Sequence, residues 1–235
     1  MILHPDSAIS PAEAASRLNS VKAQMAEAAR RSGRRPEEIT LLGVSKTFPG
    51  EMIKVYLEAG LRDFGESYVQ EARDKAVELE GFNPPPTWHF IGHLQTNKAK
   101  YAAALFPVIH SLDNLELARE LNRRAQALGR VISVYLQVNV AGEIAKSGLA
   151  PEALPAFVKA LEGFSGLKPL GLMTMPPYDP DPEASRPHFA ALRNLRDQKA
   201  PHLAGLSMGM SGDFEVAIEE GATIIRVGTT LFGAR

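Results

Sequence analysis

The chain has 235 residues, 45% of them apolar and 23% charged, with a formal net charge of −1 and no cysteine. That balance fits a soluble globular protein and offers no basic surface to nucleic acid; disulfides, thiolate metal sites and thiol catalysis are excluded. The opening MILHPDSAIS lacks a charged stretch followed by an apolar core, and no apolar run approaches the ~20 residues of a membrane span, so a cytoplasmic protein without membrane contact is expected.

Residues 10–32 predict a helix, with Ser10 as cap, Pro11 in the first turn and Gly33 as the stop. Strands and helices then alternate. A strand over 39–46 (ITLLGVSK) precedes a helix over 51–60, DFGES precedes YVQEARDKAVELEG, and TWHFIG (87–92) precedes QTNKAKYAAAL. PVIHSL leads into NLELARELNRRAQALG, VISVYLQVNV (131–140) into PEALPAFVKALEGF, and LKPLGLMTM (167–175) into DPEASRPHFAALRNLRDQ. HLAGLSMGM (202–210) leads into GDFEVAIEEG, and TIIRVGT (223–229) is the eighth strand.

Several strands are near-continuous runs of Val, Ile and Leu, as in parallel strands covered on both faces. Eight such units, in a chain near the ~250 residues usual for that fold, predict the α/β class: a single (β/α)8 TIM-type barrel with an extra N-terminal helix. No composition shift marks a boundary, so residues 1–235 read as one barrel domain, with 1–38 a helical segment packed on it. A doubly wound open sheet is the alternative, weakened by the lack of a Gly-rich dinucleotide fingerprint or P-loop. The Pro-rich stretch 175–187 reads as a long loop on the functional face.

In such a barrel, functional side chains sit at the carboxyl ends of strands. Lys46 ends the first strand. One reading is a rim lysine, snorkelling or salt-bridged. The other is an amine whose burial lowers its pKa and makes it nucleophilic toward an aldehyde. Ser211-Gly212 follows the seventh strand and Gly228-Thr229-Thr230 the eighth, the two loops that often hold phosphate in barrels. Each alone also fits an ordinary turn or cap. Arg226 lies two residues before Gly228, on the same face; an inward guanidinium needs an acceptor, from a ligand or from a buried ion pair. An imine-forming lysine, a phosphate cradle and an inward arginine suit one small molecule well, pyridoxal 5′-phosphate. A cofactor-free Schiff-base aldolase acting on a sugar phosphate is a competing reading of the same lysine.

His89 reads as a satisfied strand histidine and His93 as a mouth residue. A strand and a loop separate them, so helix-type metal spacing does not apply, and no metal site is expected. Lys98 and Lys146 follow the third and fifth strands and read as solvated lysines at the mouth. Met173, Met175, Met208 and Met210 read as core or ring-packing side chains, with Met175 the candidate to touch a cofactor face.

The stretches VSKTFP, FGESYVQEA, WHFIGHLQTNK, IHSLDN, QVNVAGEIAKSGL, GLMTMPP and LSMGMSGDFEVAIEEGATIIRVGTTLFGAR run in order from about residue 39 to the final arginine. On these motifs the sequence resembles the pyridoxal phosphate homeostasis protein family. The resemblance implies a barrel like the N-terminal domain of alanine racemases, bound pyridoxal phosphate, and a role in intracellular vitamin B6 homeostasis without established turnover. It implies an aldimine at Lys46, phosphate contacts from Ser211, Gly228 and Thr229, and Arg226 facing the pyridine nitrogen. A ring nitrogen opposite a guanidinium stays unprotonated and makes a weaker electron sink. Racemases of this fold add a β domain that supplies a catalytic tyrosine. The sequence ends at Arg235, just past the last strand, and its five tyrosines (56, 68, 101, 135, 178) fall within the barrel, so no such domain and no catalytic residue are expected. The expected partners are the cofactor and apo enzymes that receive it, with the chain a monomer. A weak pyridoxal-phosphate-dependent racemase or lyase is the alternative. Where many relatives read FGEN, this chain has the shorter Ser67, which shortens any reach from that position to the cofactor; Glu66 is kept.

Overall fold

A computed structural model describes residues 9–143 and 147–234. Ser10 caps helix α1 (Pro11–Arg31): its Oγ accepts the Glu13 N–H at 3.2 Å, and Pro11 sits where no amide donor is needed. Ala14, Leu18, Val21, Met25 and Ala28 recur at steps of four and three, so one stripe of α1 is buried.

The strands are β1 (Thr40–Val44), β2 (Asp63–Glu66), β3 (Thr87–Phe90), β4 (Val108–Leu112), β5 (Ile132–Gln137), β6 (Leu167–Met173), β7 (Gly205–Met210) and β8 (Ile224–Val227). Each pairs in parallel with the next, and β8 closes on β1 with Arg226 opposite Leu42. That closure gives the expected barrel and sets the open sheet aside. The connecting helices are α2 (Gly50–Glu58), α3 (Val69–Glu78), α4 (Ala99–Leu105), α5 (Leu115–Ala127), α6 (Leu154–Leu161), α7 (Arg186–Lys199) and α8 (Phe214–Glu219); the short α9 (Thr229–Phe232) follows β8.

Several strands are shorter than the sequence reading: β1 stops at Val44, two residues before Lys46, β3 at Phe90, β5 at Gln137 and β6 at Met173; two further boundaries shift for local reasons. The Leu203 amide bonds the Ala200 carbonyl in a turn, so β7 starts at Gly205 and not at 202. The amides of Leu231 and Phe232 bond the Gly228 carbonyl, which takes Thr229 out of the last strand and into α9.

Side chains alternate between two layers. Phe64, Trp88, Ile109, Leu136, Leu206 and Ile225 face the helices in the main core. Leu42, Tyr135, Met173 and Ile224 form a smaller apolar cluster inside the barrel. Arg226 shares the inward parity of Ile224, and His110 that of Val108, so the barrel interior is partly polar. Helix α1 packs on α2, α8 and α9, over the seam where the barrel closes. Among the described residues, no helix is long and apolar enough to cross a membrane.

Candidate functional site

Lys46 leaves β1 at the carboxyl mouth, and the backbone on both sides of it is tied to α3. The Ser45 Oγ donates to Glu66 Oε1 at 2.7 Å. Lys75 of α3 donates to the Ser45 carbonyl at 2.8 Å, to Glu66 Oε1 at 2.7 Å and to Glu71 Oε1 at 2.5 Å. Both Lys75 and Glu66 are buried. Burial pushes the Glu66 carboxyl above the usual range despite the attraction of Lys75, and Glu66 Oε2 has no partner among the described residues. Thr47 follows with a φ of 70°, a left-handed conformation that strains a β-branched residue. Its N–H is held by Glu71 Oε1.

The loops after β7 and β8 meet across the mouth. The Met210 N–H donates to Asp213 Oδ1 at 2.6 Å, the Asp213 N–H donates back to the Met210 carbonyl at 3.1 Å, and Ser185 Oγ donates to Asp213 Oδ2 at 2.9 Å. This closed turn presents Ser211, whose Oγ accepts the Gly228 N–H at 3.0 Å. Helix α9 is pinned from behind: the Leu231 carbonyl accepts from the Tyr56 hydroxyl and, at 3.0 Å, from Arg17 Nη1. The Phe232 ring packs 5.4 Å from Phe48 and 4.7 Å from Tyr56.

Arg226 enters from β8 and is 4% exposed. Nη1 donates to the carbonyl and the Oγ of Ser207, both at 2.8 Å, and Nη2 donates to the Thr174 carbonyl at 2.9 Å. These acceptors are neutral, so the ion pair considered for this residue is replaced by carbonyls and a hydroxyl. A guanidinium has five N–H groups; two of Arg226's have no acceptor among the described residues. Burial draws its pKa down to about 10, against the pull of Asp213, which leaves it protonated at neutral pH.

A cavity of about 320 Å³ gathers Lys46, Ser211, Arg226, Gly228 and Thr229. All five residues singled out from the sequence therefore line one space. Val44, Ile91, Met175 and Met210 give it apolar walls, and Pro177, Tyr178 and Asp179 of the Pro-rich loop flank it. A larger cavity of about 770 Å³ continues past Lys46 toward Arg73, His93 and Lys98.

Residues 17–235 match the alanine racemase N-terminal domain family. A pyridoxal phosphate homeostasis protein of Aquifex aeolicus is 46% identical over 229 residues, covering 94% of this chain and 98% of that one. The chain belongs to the pyridoxal phosphate homeostasis protein family. PipY of Synechococcus elongatus, solved with pyridoxal phosphate bound, aligns with a TM-score of 0.81 and 38% identity over 94% of this chain and 100% of its own. An alanine racemase of Clostridium difficile shares the fold, with a TM-score of 0.72, 14% identity, and coverage of 94% of this chain and 56% of its own.

Within this family member, Ser67 lines both cavities. Gly92 lies so close that a Cβ there would sit 2.4 Å from the Ser67 carbonyl, which locks the FGES and WHFIGH segments together. His89 is buried and satisfied, as its strand position implies, between Asp63 and His110. His93 and Lys98 are exposed on the larger cavity, and His93 Nδ1 is 3.3 Å from Ser147 Oγ. Lys146 lies outside the described residues. Met173 is in the barrel interior and Met208 in the outer core, while Met175 and Met210 reach the cofactor-sized cavity. The sequence reading passed over Lys75, His110 and Ser207. The i,i+4 spacing of Glu71 and Lys75 was one available signal, and the inward parity of His110 in VIHSL was another.

Proposed function

We propose that this chain binds pyridoxal 5′-phosphate with Lys46 as its covalent attachment point, and that it serves cofactor homeostasis rather than efficient turnover. The observation that carries this reading is the convergence of Lys46, Ser211, Arg226, Gly228 and Thr229 on one cavity. The residues fit the cofactor's parts. A buried guanidinium with two N–H groups unpaired among the described residues suits a ring nitrogen that accepts. The Ser211 hydroxyl hydrogen and the loop beginning at Gly228 suit phosphate oxygens, and the apolar walls suit the two faces of a ring. When bound, the group supplies an aldehyde and an electron-withdrawing ring. The PipY structure with bound cofactor, at 38% identity, supports the assignment.

Arg226 also supports the absence of efficient turnover. It stays charged at neutral pH and offers no carboxylate to protonate a ring nitrogen, so the ring is a poor electron sink. The wide neighbouring cavity leaves the attachment point accessible, which suits hand-over of the cofactor to apo enzymes by a monomeric cytoplasmic protein. A weak racemase or lyase is the second reading, favoured by Tyr178 on the cavity rim.

The test is an absorbance spectrum of the purified chain with added pyridoxal phosphate, beside Lys46→Ala. A visible band that borohydride bleaches, with a reduced cofactor left on the Lys46 peptide, is expected only in the wild type. No uptake by the wild type would overturn the reading and restore the aldolase. A band surviving in Lys46→Ala would move the attachment to another lysine. Deuterium entering the α-carbon of an amino acid, and lost in Tyr178→Phe, would establish the second reading.

A further inference from the structure

Beneath Arg226 a file of hydrogen bonds runs through the barrel interior. Arg226 Nη1 lies 2.8 Å from Ser207 Oγ, Ser207 Oγ 2.8 Å from His110 Nδ1, His110 Nε2 2.9 Å from His89 Nδ1, and His89 Nε2 3.0 Å from Asp63 Oδ1. Ser207 and His110 are fully buried, and His89 and Arg226 are 4% exposed. The His110 ring is also stacked on Tyr135, with centroids 4.7 Å apart. Asp63 opens β2, so the file ends at the mouth opposite Lys46, where the Asp63 side chain is 30% exposed.

With one hydrogen on each ring, the two ends set the direction of the bonds between them. A guanidinium only donates and a carboxylate only accepts. Ser207 therefore accepts from Arg226 and gives its hydroxyl hydrogen to His110 Nδ1. That leaves His110 to donate from Nε2 to His89 Nδ1, and His89 to donate from Nε2 to Asp63. In that direction each ring carries a hydrogen on Nε2 and accepts at Nδ1. Reversing the file with one hydrogen on each ring would set a bare His89 nitrogen against the Asp63 carboxylate.

We propose that Asp63, His89, His110 and Ser207 are positioning residues for Arg226, a single polarised file that sets the guanidinium at the cavity floor. The Arg226 hydrogens committed to Ser207 and Thr174 determine which hydrogens are left for a ligand. Asp63 reaches that choice from across the barrel without touching the ligand. The inference rests on the reading of the cavity as a pyridoxal phosphate site.

Two measurements test it. The first needs no cofactor: long-range proton–nitrogen NMR of the histidine rings. Neutral Nε2-protonated tautomers are expected for both His89 and His110, and an Nδ1-protonated His110 would overturn the file. The second is pyridoxal phosphate affinity in a cycle of Ser207→Ala and Asp63→Leu, two sites separated by two rings. Each change alone is expected to weaken binding by about fivefold, and the pair by little more than either, because linked groups are not additive. A purely structural role predicts that the separate losses multiply, and that result, or an unchanged affinity in Asp63→Leu, would reject the proposal. Asp63→Asn keeps an acceptor for His89 and is expected to recover most of the loss. If the wild type takes up no cofactor, the cofactor reading fails, while the ring tautomers still judge the file.

Discussion

Lys75 donates to the Ser45 carbonyl at 2.8 Å, so the residue before Lys46 is held by a buried ammonium. The same Nζ neutralises Glu66 at 2.7 Å. Lys75→Met removes the bond to the strand end and leaves Glu66 buried without its cation. Breaking one side of a buried pair costs about 3–5 kcal/mol, whereas replacing both sides is far milder. Urea unfolding is expected to show that loss for Lys75→Met and recovery of more than half of it in Lys75→Met with Glu66→Leu. A double variant as unstable as the single would show that the pair is not the source.

Burial, with His89 and Arg226 close by, holds His110 well below the ordinary histidine range. The folded state refuses a proton that the unfolded chain takes up near pH ~6.5. The stabilisation is thus full above that pH and is lost as the pH falls toward the folded ring's own pKa, by up to ~1.4 kcal/mol per pH unit. Urea midpoints at about pH 7.5 and about pH 5 should differ in that direction, and His110→Phe should lower stability overall yet flatten this part of the profile. A wild-type midpoint that does not move would contradict the buried neutral ring.

The fold was legible because each signal was local. Apolar runs, the Ser10-Pro11 cap and the alternation of strands with helices all follow from neighbours in sequence. The five cavity residues were legible for a related reason, since each stands at or near the carboxyl end of a strand. The supports were not. Lys75 lies on a charged helix and Glu66 at a strand end, and nothing short of the β2–α3 packing brings them together. His110 and Ser207 are 97 residues apart, and only closure of the barrel makes them neighbours.

Thr47 carries the strained backbone beside Lys46. Glycine there removes a left-handed penalty of about 1–2 kcal/mol and gives back about 0.5–1 kcal/mol in unfolded-chain entropy. Thr47→Gly should therefore melt at the same temperature as the wild type or slightly above it. The freed hinge should also place Lys46 less firmly, so that cofactor affinity falls while stability does not. Differential scanning calorimetry and equilibrium dialysis read the two effects separately. A drop in melting temperature would mean that the Thr47 side chain contributes more than its backbone strain takes away.

Tyr56 and Arg17 share one acceptor, the Leu231 carbonyl, and so connect α2 and α1 to α9, which Gly228 caps. Burial pushes the Tyr56 hydroxyl up to about 12, so it remains a donor across the physiological range. Tyr56→Phe leaves the carbonyl to Arg17, and Arg17→Met leaves it to Tyr56, so each single change should cost only about 1 kcal/mol. Together they strip a buried carbonyl of its side-chain donors, which adds a desolvation penalty of about 1–3 kcal/mol. Thermal unfolding of the four proteins should show that excess. Phosphate-dependent cofactor binding should weaken with it, because the Gly228 amide and α9 move as one piece, whereas binding of the phosphate-free aldehyde pyridoxal should change far less. Equal losses for both compounds would place the effect at Lys46 or Arg226 and not at the phosphate loop.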